Sequence, residues 1–330
     1  MARDCFNMLY TQDVRTLLVK KRLILDCDPG HDDAIAILLA ARDPAVDLLA
    51  VTTVAGNQTL DKTSYNALRV LTLARRYDVP VAAGCARPLR RRLVTAGKVH
   101  GDSGLDGADL PEPAMELDGR HAADLIVEMA ESSREDITIV ATGPLTNVAT
   151  ALMRRPSLGE RIEQVVWMGG SCGEGNVTPA AEFNAYVDPE AADVVFHSGM
   201  RLTMVGLDVT HQALYLEEDI DEIRGLKNSV AEVVADLLSF FMGTYRSVFG
   251  FPGCPLHDPC ALAGALHPNM VKCVPMRVEV ETRGQWTRGR TVCDRMGLWG
   301  MPQNARVGTL LDVDAFKAYV RDGLSRYGDG

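Results

Sequence analysis

Residues 22–33 read Arg22-Leu23-Ile24-Leu25-Asp26-Cys27-Asp28-Pro29-Gly30-His31-Asp32-Asp33, and the residues that follow, Ala34 to Ala41, are all apolar. A short apolar run, a Pro-Gly turn and a longer apolar run together spell strand, turn and helix. Leu23, Ile24 and Leu25 are apolar in succession rather than in alternation, as in a strand covered on both faces. Val165-Val166-Trp167-Met168 has the same character.

The same order recurs along the chain. Strands are expected at Arg22–Cys27, Asp47–Val54, Pro80–Ala83, Ile137–Ala141, Val165–Met168 and Leu202–Gly206. Helices are expected at Asp33–Arg42, Leu60–Tyr77, Arg120–Ser132, Pro144–Met153 and Pro189–His197. Such alternation implies βαβ units with right-handed crossovers. Beyond about Thr210 the pattern turns helical, at Ser229–Tyr245 and Pro259–His267. Two strands, Val274–Val280 and Thr287–Cys293, then precede a last helix at Val313–Ser325. The expected fold is α/β: a single domain on a mostly parallel open sheet with flanking helices, Rossmann-like in its core, with a helical elaboration near the site. Residues 1–21 read as an N-terminal extension and 22–330 as the domain.

Composition narrows the partners. Among 330 residues, 34 Lys and Arg against 44 Asp and Glu give a net charge of −10, with no excess to neutralise a nucleic-acid backbone. Hydrophobic content of 47% with 24% charged residues is that of a globular chain, not a disordered one. Ala34–Ala41 falls far short of the roughly 18 apolar residues that span a membrane. The cysteines at 5, 27, 85, 172, 254, 260, 273 and 293 form no C-x-x-C pair, which argues against a structural zinc site. Scattered thiols, and no apolar h-region in the first twenty residues, make the cytoplasm the expected location.

In open α/β sheets, ligands bind where loops leave the carboxyl ends of strands. Asp26, Asp28, Asp32 and Asp33 crowd such a point, and hard oxygen donors of this kind suit Ca²⁺ or Mg²⁺. An Asp-rich turn with helix caps would explain one or two of them, but not all four. Asn57 follows Gly56 at another strand end, and Thr142-Gly143-Pro144 offers strand-end carbonyls after a third. Gly169 to Gly175 is glycine-rich but lacks the dinucleotide and P-loop spacings. Glu182 and Asn184, two apart in an expected extended segment, would face one side and grip two sugar hydroxyls. His257-Asp258-Pro259 stands at a helix start, and His100 lies in a long glycine-rich loop of the kind that forms lids.

These stretches together resemble the nucleoside hydrolases. Asp26-Cys27-Asp28-Pro29-Gly30-His31-Asp32-Asp33 is similar to that family's D-x-D-P-G-x-D-D signature. The resemblance continues through Val51–Asn57, Gly143–Asn147, Met168–Gly170, Ala181–Asn184 and His257–Pro259, from roughly Arg22 to the C-terminus. Because His257 precedes Asp258, it is closest in character to the inosine-uridine-preferring branch. The resemblance implies hydrolysis of the N-glycosidic bond of a ribonucleoside through an oxocarbenium-like transition state, inosine/uridine or 6-oxopurine preferring, as in purine salvage. It implies Ca²⁺ held by Asp28, Asp33, the Thr142 carbonyl and Asp258, and Asp28 as the base that activates a calcium-held water. Asp32, Asn57 and Asn184 would take the 2′- and 3′-hydroxyls, and Asn176 and Glu182 the 5′-hydroxyl. Met168 and Phe183 would pack on ribose and base. His257 would assist the leaving base, with His100 and Tyr245 nearby. A homodimer or homotetramer is implied as well.

Two departures stand out. His31 replaces an apolar residue and reads as a tolerated surface change; Phe249 and Phe251 make the segment before His257 unusually aromatic. Two rival readings remain open at this point. A metal-dependent phosphatase of the D-x-D type would share Asp26 and Asp28, yet wants Thr or Val where Pro29-Gly30 stands. A calcium-dependent nucleoside-binding protein without catalysis would share the whole site.

Overall fold

The side chains of Leu23, Ile24 and Leu25 are wholly buried, because layers cover both faces of their strand. The computed structural model describes residues 20–133 and 136–328. The expected extension therefore lies outside the described residues except for Lys20 and Lys21, and Lys21 already opens the first strand. In chain order the main-sheet strands are β1 (Lys21–Cys27), β2 (Val46–Thr53), β3 (Val81–Ala83), β4 (Ile137–Ala141), β5 (Ile162–Met168) and β6 (Leu202–Val205). A separate two-stranded ribbon pairs β7 (Leu214–Tyr215) with β8 (Cys254–Pro255). Then come β9 (Val271–Val280), β10 (Thr291–Asp294) and β11 (Ala305–Leu311).

The main sheet runs β10-β9-β11-β6-β5-β4-β1-β2-β3. Every pairing from β11 to β3 is parallel, while β9 lies antiparallel to both β11 and β10. After β3 the chain crosses to the far side of β1 and adds β4, β5 and β6 there. The strand order thus reverses between β1 and β4, which opens a crevice beyond their carboxyl ends. Asp28 and Thr142 stand at that crevice.

Helices cover both faces. They are α1 (His31–Arg42), α2 (Leu60–Leu73), α3 (Gly97–His100), α4 (Ala122–Ser132), α5 (Thr146–Arg154) and α6 (Phe183–Val187). The remainder are α7 (Pro189–Phe196), α8 (Leu207–Thr210), α9 (Glu217–Arg224), α10 (Ser229–Phe249), α11 (His257–Leu266) and α12 (Val313–Ser325). Leu23, Leu25 and Cys27 join a core built with α1, α2, α10, α11 and α12. Ile24 faces the other way, into a core built with α4, α5 and α7. Helix α1 is buried from His31 to Ala41, since it packs against the sheet and against α2, α11 and α12. No helix among the described residues is long and apolar enough to cross a membrane.

Several expected boundaries moved. Helix α2 ends at Leu73 rather than Tyr77, and Arg75 turns to φ 54°, which a helix cannot continue through. Helix α10 runs past Tyr245 to Phe249 and stops where Gly250 adopts a left-handed φ of 71°. Strand β10 opens at Thr291, not Thr287, because Arg288 and Arg290 still bond within a turn. Glu182 does not lie in an extended run: it caps α6.

Candidate active site

Four carboxyl groups meet beyond β1 with no cationic partner among the described residues. Asp28 leaves the end of β1, Asp32 and Asp33 occupy the first turn of α1, and Asp258 the first turn of α11; all four are buried. Carboxylate oxygens of Asp32, Asp33 and Asp258 lie within 4.8 Å of one another. Burial, then repulsion from Asp33, pushes Asp32 up to about 7 and raises Asp28 well above the carboxylate range. Asp258 is raised by burial and by Asp32, Asp33 and Asp28 in turn. Asp33 is raised by burial too, although hydrogen bonds from the Gly30 N–H and Thr142 oppose the shift.

Hydrogen bonds hold the Asp28 and Asp33 carboxylates in place. The Asn57 N–H donates to Asp28 Oδ2 at 2.6 Å, and the Gly30 N–H donates to Asp33 Oδ2 at 2.9 Å. Thr142 Oγ1 donates to Asp33 Oδ1 at 2.7 Å. Asp28 Oδ1 is buried with no hydrogen-bond partner among the described residues. A buried, orphaned carboxylate oxygen beside three further carboxyls fits a hard divalent cation, which would remove both the repulsion and the desolvation cost. Gly56 and Gly143 wall the Asp28 carboxylate so closely that a Cβ on either would overlap it.

Asp26, the other acid of the strand, is not part of this cluster. Its Oδ1 accepts from Thr52 Oγ1 at 2.6 Å and Asn147 Nδ2 at 2.8 Å, tying β1 to β2 and α5. Burial pushes it up to about 6. A D-x-D phosphatase needs both acids at the reacting centre, and this one is turned into the scaffold.

A cavity of about 460 Å³ opens over the acidic cluster, a size suited to a small polar ligand. Asp32, Asn57, Thr142, Asn184 and Asp258 line it, as do Phe183, Val248 and a group of α10 rings in which Tyr245 packs against Phe241 and Phe249. Met168, Asn176, Glu182, His100 and His257 also reach it, so the cavity gathers the site residues expected from sequence except Asp28 and Asp33, which lie beneath. Asn184 Nδ2 donates to the Thr142 carbonyl at 2.8 Å and the Met168 carbonyl at 3.1 Å. Asn57 Nδ2 donates to Asp33 Oδ2 at 3.1 Å, and Asn176 Oδ1 accepts from the Phe183 N–H at 2.9 Å. Glu182 is more constrained than a ligand-gripping pair would be. Its carboxylate accepts from the N–H groups of Gly170, Asn184 and Ala185, and burial pushes it up to about 7.

At the aromatic end, His257 has both ring nitrogens engaged. Nδ1 is 2.7 Å from Thr210 Oγ1 and Nε2 is 2.6 Å from the Tyr245 hydroxyl. Burial holds its pKa well below the ordinary histidine value, so the ring is neutral. Any hydrogen bond His257 sends toward a ligand therefore passes through the Tyr245 hydroxyl. Phe249 packs on Tyr245 at 4.9 Å between ring centroids and lines the cavity, whereas Phe251 packs edge-on to His211 outside it. Sequence reasoning missed Thr210 and Phe241, which carry no motif of their own. It also misplaced His31: far from the surface, that ring is fully buried and 3.1 Å from His100.

Comparison with known proteins identifies the fold and the family. Pyrimidine-specific ribonucleoside hydrolase RihA of Shewanella sp. (strain MR-7) is 51% identical over 310 residues, covering 94% of this chain and 98% of its own. RihA of Photobacterium profundum is 52% identical over 312 residues, covering 94% and 100%. Among solved structures, the purine-preferring ribonucleoside hydrolase from Gardnerella vaginalis superposes with a TM-score of 0.89 at 32% identity, over 94% of this chain and all of that one. Residues 23–318 match the family described as inosine-uridine preferring nucleoside hydrolase, and the chain belongs to that family.

Proposed function

We propose that the crevice beyond β1 and β4 hydrolyses the N-glycosidic bond of ribonucleosides, releasing free base and ribose. The observation that carries this reading is the four-carboxyl cluster with its orphaned Asp28 oxygen, set beneath a cavity lined by both polar and aromatic side chains. Asp28, Asp33, Asp258 and the Thr142 carbonyl would hold Ca²⁺. When bound, the ion supplies positive charge that makes water a better nucleophile near neutral pH. Asp28 then takes the proton from the attacking water. The remaining negative charge of the cluster favours the oxocarbenium-like sugar that forms as the base departs. Asp32, Asn57 and Asn184 would orient the 2′- and 3′-hydroxyls, with Asn176 and Glu182 toward the 5′-hydroxyl. Met168 and Phe183 would pack against the sugar and base. A calcium-dependent binding protein would need Asp28 only as a ligand, so release of free base is what separates the two readings.

The relatives support a choice of base. Two pyrimidine-specific enzymes share 51% and 52% of their residues with this chain, against 32% for the purine-preferring one. Pyrimidine ribonucleosides are therefore the proposed substrates, in place of the inosine/uridine or 6-oxopurine preference, with its purine-salvage emphasis, that the resemblance implied. In a panel of uridine, cytidine, inosine, guanosine and adenosine, with free base as the readout, kcat/KM for uridine and cytidine should exceed that for inosine at least about tenfold. Fastest release from inosine overturns the preference, and no release from any of the five overturns the activity. A cytoplasmic homo-oligomer remains part of the proposal; light scattering on the purified chain reads the oligomeric state.

A second test separates help to the leaving base from activation of the sugar. The Tyr245 hydroxyl would donate to the departing base, backed by His257 at 2.6 Å. His257→Ala should cost about 10²-fold in kcat on uridine and inosine, the scale general acid catalysis supplies. A p-nitrophenyl riboside should hardly change, since its phenolate leaves unprotonated. Tyr245→Phe should show the same selectivity, and the double variant little further loss, because the two residues act as one unit. Equal losses on both substrate classes would assign His257 to the fold instead.

A further inference from the structure

His31 begins α1 with its ring inside the protein and two quite different partners. Its Nε2 lies 2.9 Å from the backbone carbonyl oxygen of Asp106. Its Nδ1 lies 3.1 Å from Nδ1 of His100. The rings of Phe240 and Phe241 are nearly parallel to it, each with its centroid 5.2 Å away, so the imidazole is held flat between fixed neighbours. A carbonyl only accepts, so the His31 Nε2 carries a proton. The ring is wholly buried against Phe240 and Phe241, and neither ring nitrogen bonds a carboxylate, which keeps it neutral and leaves a lone pair on its Nδ1.

Facing that lone pair, His100 Nδ1 makes a hydrogen bond only by donating. One competitor exists: the His31 backbone N–H is 3.3 Å from the same His100 nitrogen and would want a lone pair there. That alternative sets two lone pairs against each other at 3.1 Å, whereas the first sets the His31 N–H against the Nδ1–H at 3.3 Å; the first keeps the shorter contact as the hydrogen bond and leaves the mismatch at the longer one. His100 is itself buried and neutral, so it has one ring proton to place. With that proton on Nδ1, the Nε2 is bare. The ring lines the cavity beside Phe241, and its Nε2 has no hydrogen-bond partner among the described residues.

We propose that His31 is a positioning residue that fixes His100 in the Nδ1–H tautomer, so that the His100 Nε2 lone pair accepts a hydrogen bond from an N–H or O–H of the bound nucleoside. The ligand half of this assignment rests on the nucleoside reading above; the tautomer half does not. Without His31, the backbone N–H at position 31 would take over Nδ1 and the proton would move to Nε2. The same ring would then present a donor to the cavity. Uracil N3–H, the cytosine amino group and a ribose hydroxyl all suit an acceptor there, whereas the bare N7 of a purine does not.

The test uses the full chain with ¹⁵N-labelled histidine, compared as wild type, His31→Leu and His31→Gln. The Gln amide can accept from His100 with its oxygen and donate to the Asp106 carbonyl with its nitrogen, so it should restore what Leu removes. In the wild type and His31→Gln, the His100 Nε2 should resonate as an unprotonated, pyridine-type nitrogen; in His31→Leu it should become protonated. On uridine, His31→Leu should lose about tenfold in kcat/KM, the scale of one hydrogen bond. The donor is identified by substrate. If it is the base N–H, His31→Leu and wild type should differ little on 3-methyluridine; if it is a sugar hydroxyl, they should differ little on 5′-deoxyuridine. A protonated Nε2 in the wild type overturns the proposal. So does a His31→Leu loss that is the same on all three substrates. A chain with a bare Nε2 that releases base from no nucleoside would sink the hydrolase reading and the ligand half, with the tautomer assignment intact.

Discussion

Replacing Asp28 by Asn should lower kcat on uridine by about 10³-fold or more, within the range that removal of a general base reaches. The amide fails in either orientation. With its oxygen on the Asn57 N–H, now at 2.6 Å from Asp28 Oδ2, it turns an NH₂ group toward the cation site. Turned the other way, it sets donor against donor at Asn57. The scaffold should survive, because the change removes one of four mutually repelling buried acids. Melting temperature measured without metal should therefore hold or rise in Asp28→Asn. Uridine turnover within tenfold of wild type would remove Asp28 from the role of base.

Stripping divalent metal gives the second large effect, on rate and stability together. A chelator should abolish base release, and Ca²⁺ should restore it. At a concentration a hundred times its Kd, a ligand that binds only the folded state adds about 2.7 kcal/mol of stability. The melting temperature should rise by several degrees on Ca²⁺ addition and fall back with chelator. Zn²⁺ should restore neither, because the cluster offers carboxylate and carbonyl oxygens without the nitrogen or sulfur donors zinc favours. Activity regained with Zn²⁺ alone contradicts the all-oxygen ligand set, and an unchanged melt contradicts the site itself.

How much of this was legible from the chain depends on what each residue had to advertise. Strand β4 and helix α12 lie where the pattern put them, Ile137–Ala141 and Val313–Ser325, because each carries a clean apolar signal with a clear start. Strand β11 was overlooked because Arg306, Gly308 and Thr309 interrupt its apolar positions, and only its β6 and β9 neighbours make it a strand. Helix α9 was overlooked for the opposite reason: six of the eight residues in Glu217–Arg224 are charged, and only Ile220 and Ile223 are buried. Glu182 was misread because glutamate is an uncommon N-cap, and nothing local announces that three backbone N–H groups will converge on it. The acidic cluster could be read because repelling carboxylates so close in sequence need an explanation. Thr210 and His31 could not, since their importance lies in partners dozens of residues away.

The glycines beside Asp28 carry the last consequence. Gly56 and Gly143 belong to different loops, touch no proposed substrate group, and have no φ that demands glycine. Each is nonetheless barred from acquiring even a methyl group by the carboxylate between them. Selection for chemistry at one carboxylate is thereby written into the alphabet allowed at two silent positions. In a substitution library scored for activity, such positions would pass for participants in the reaction, although their part is to leave room for it.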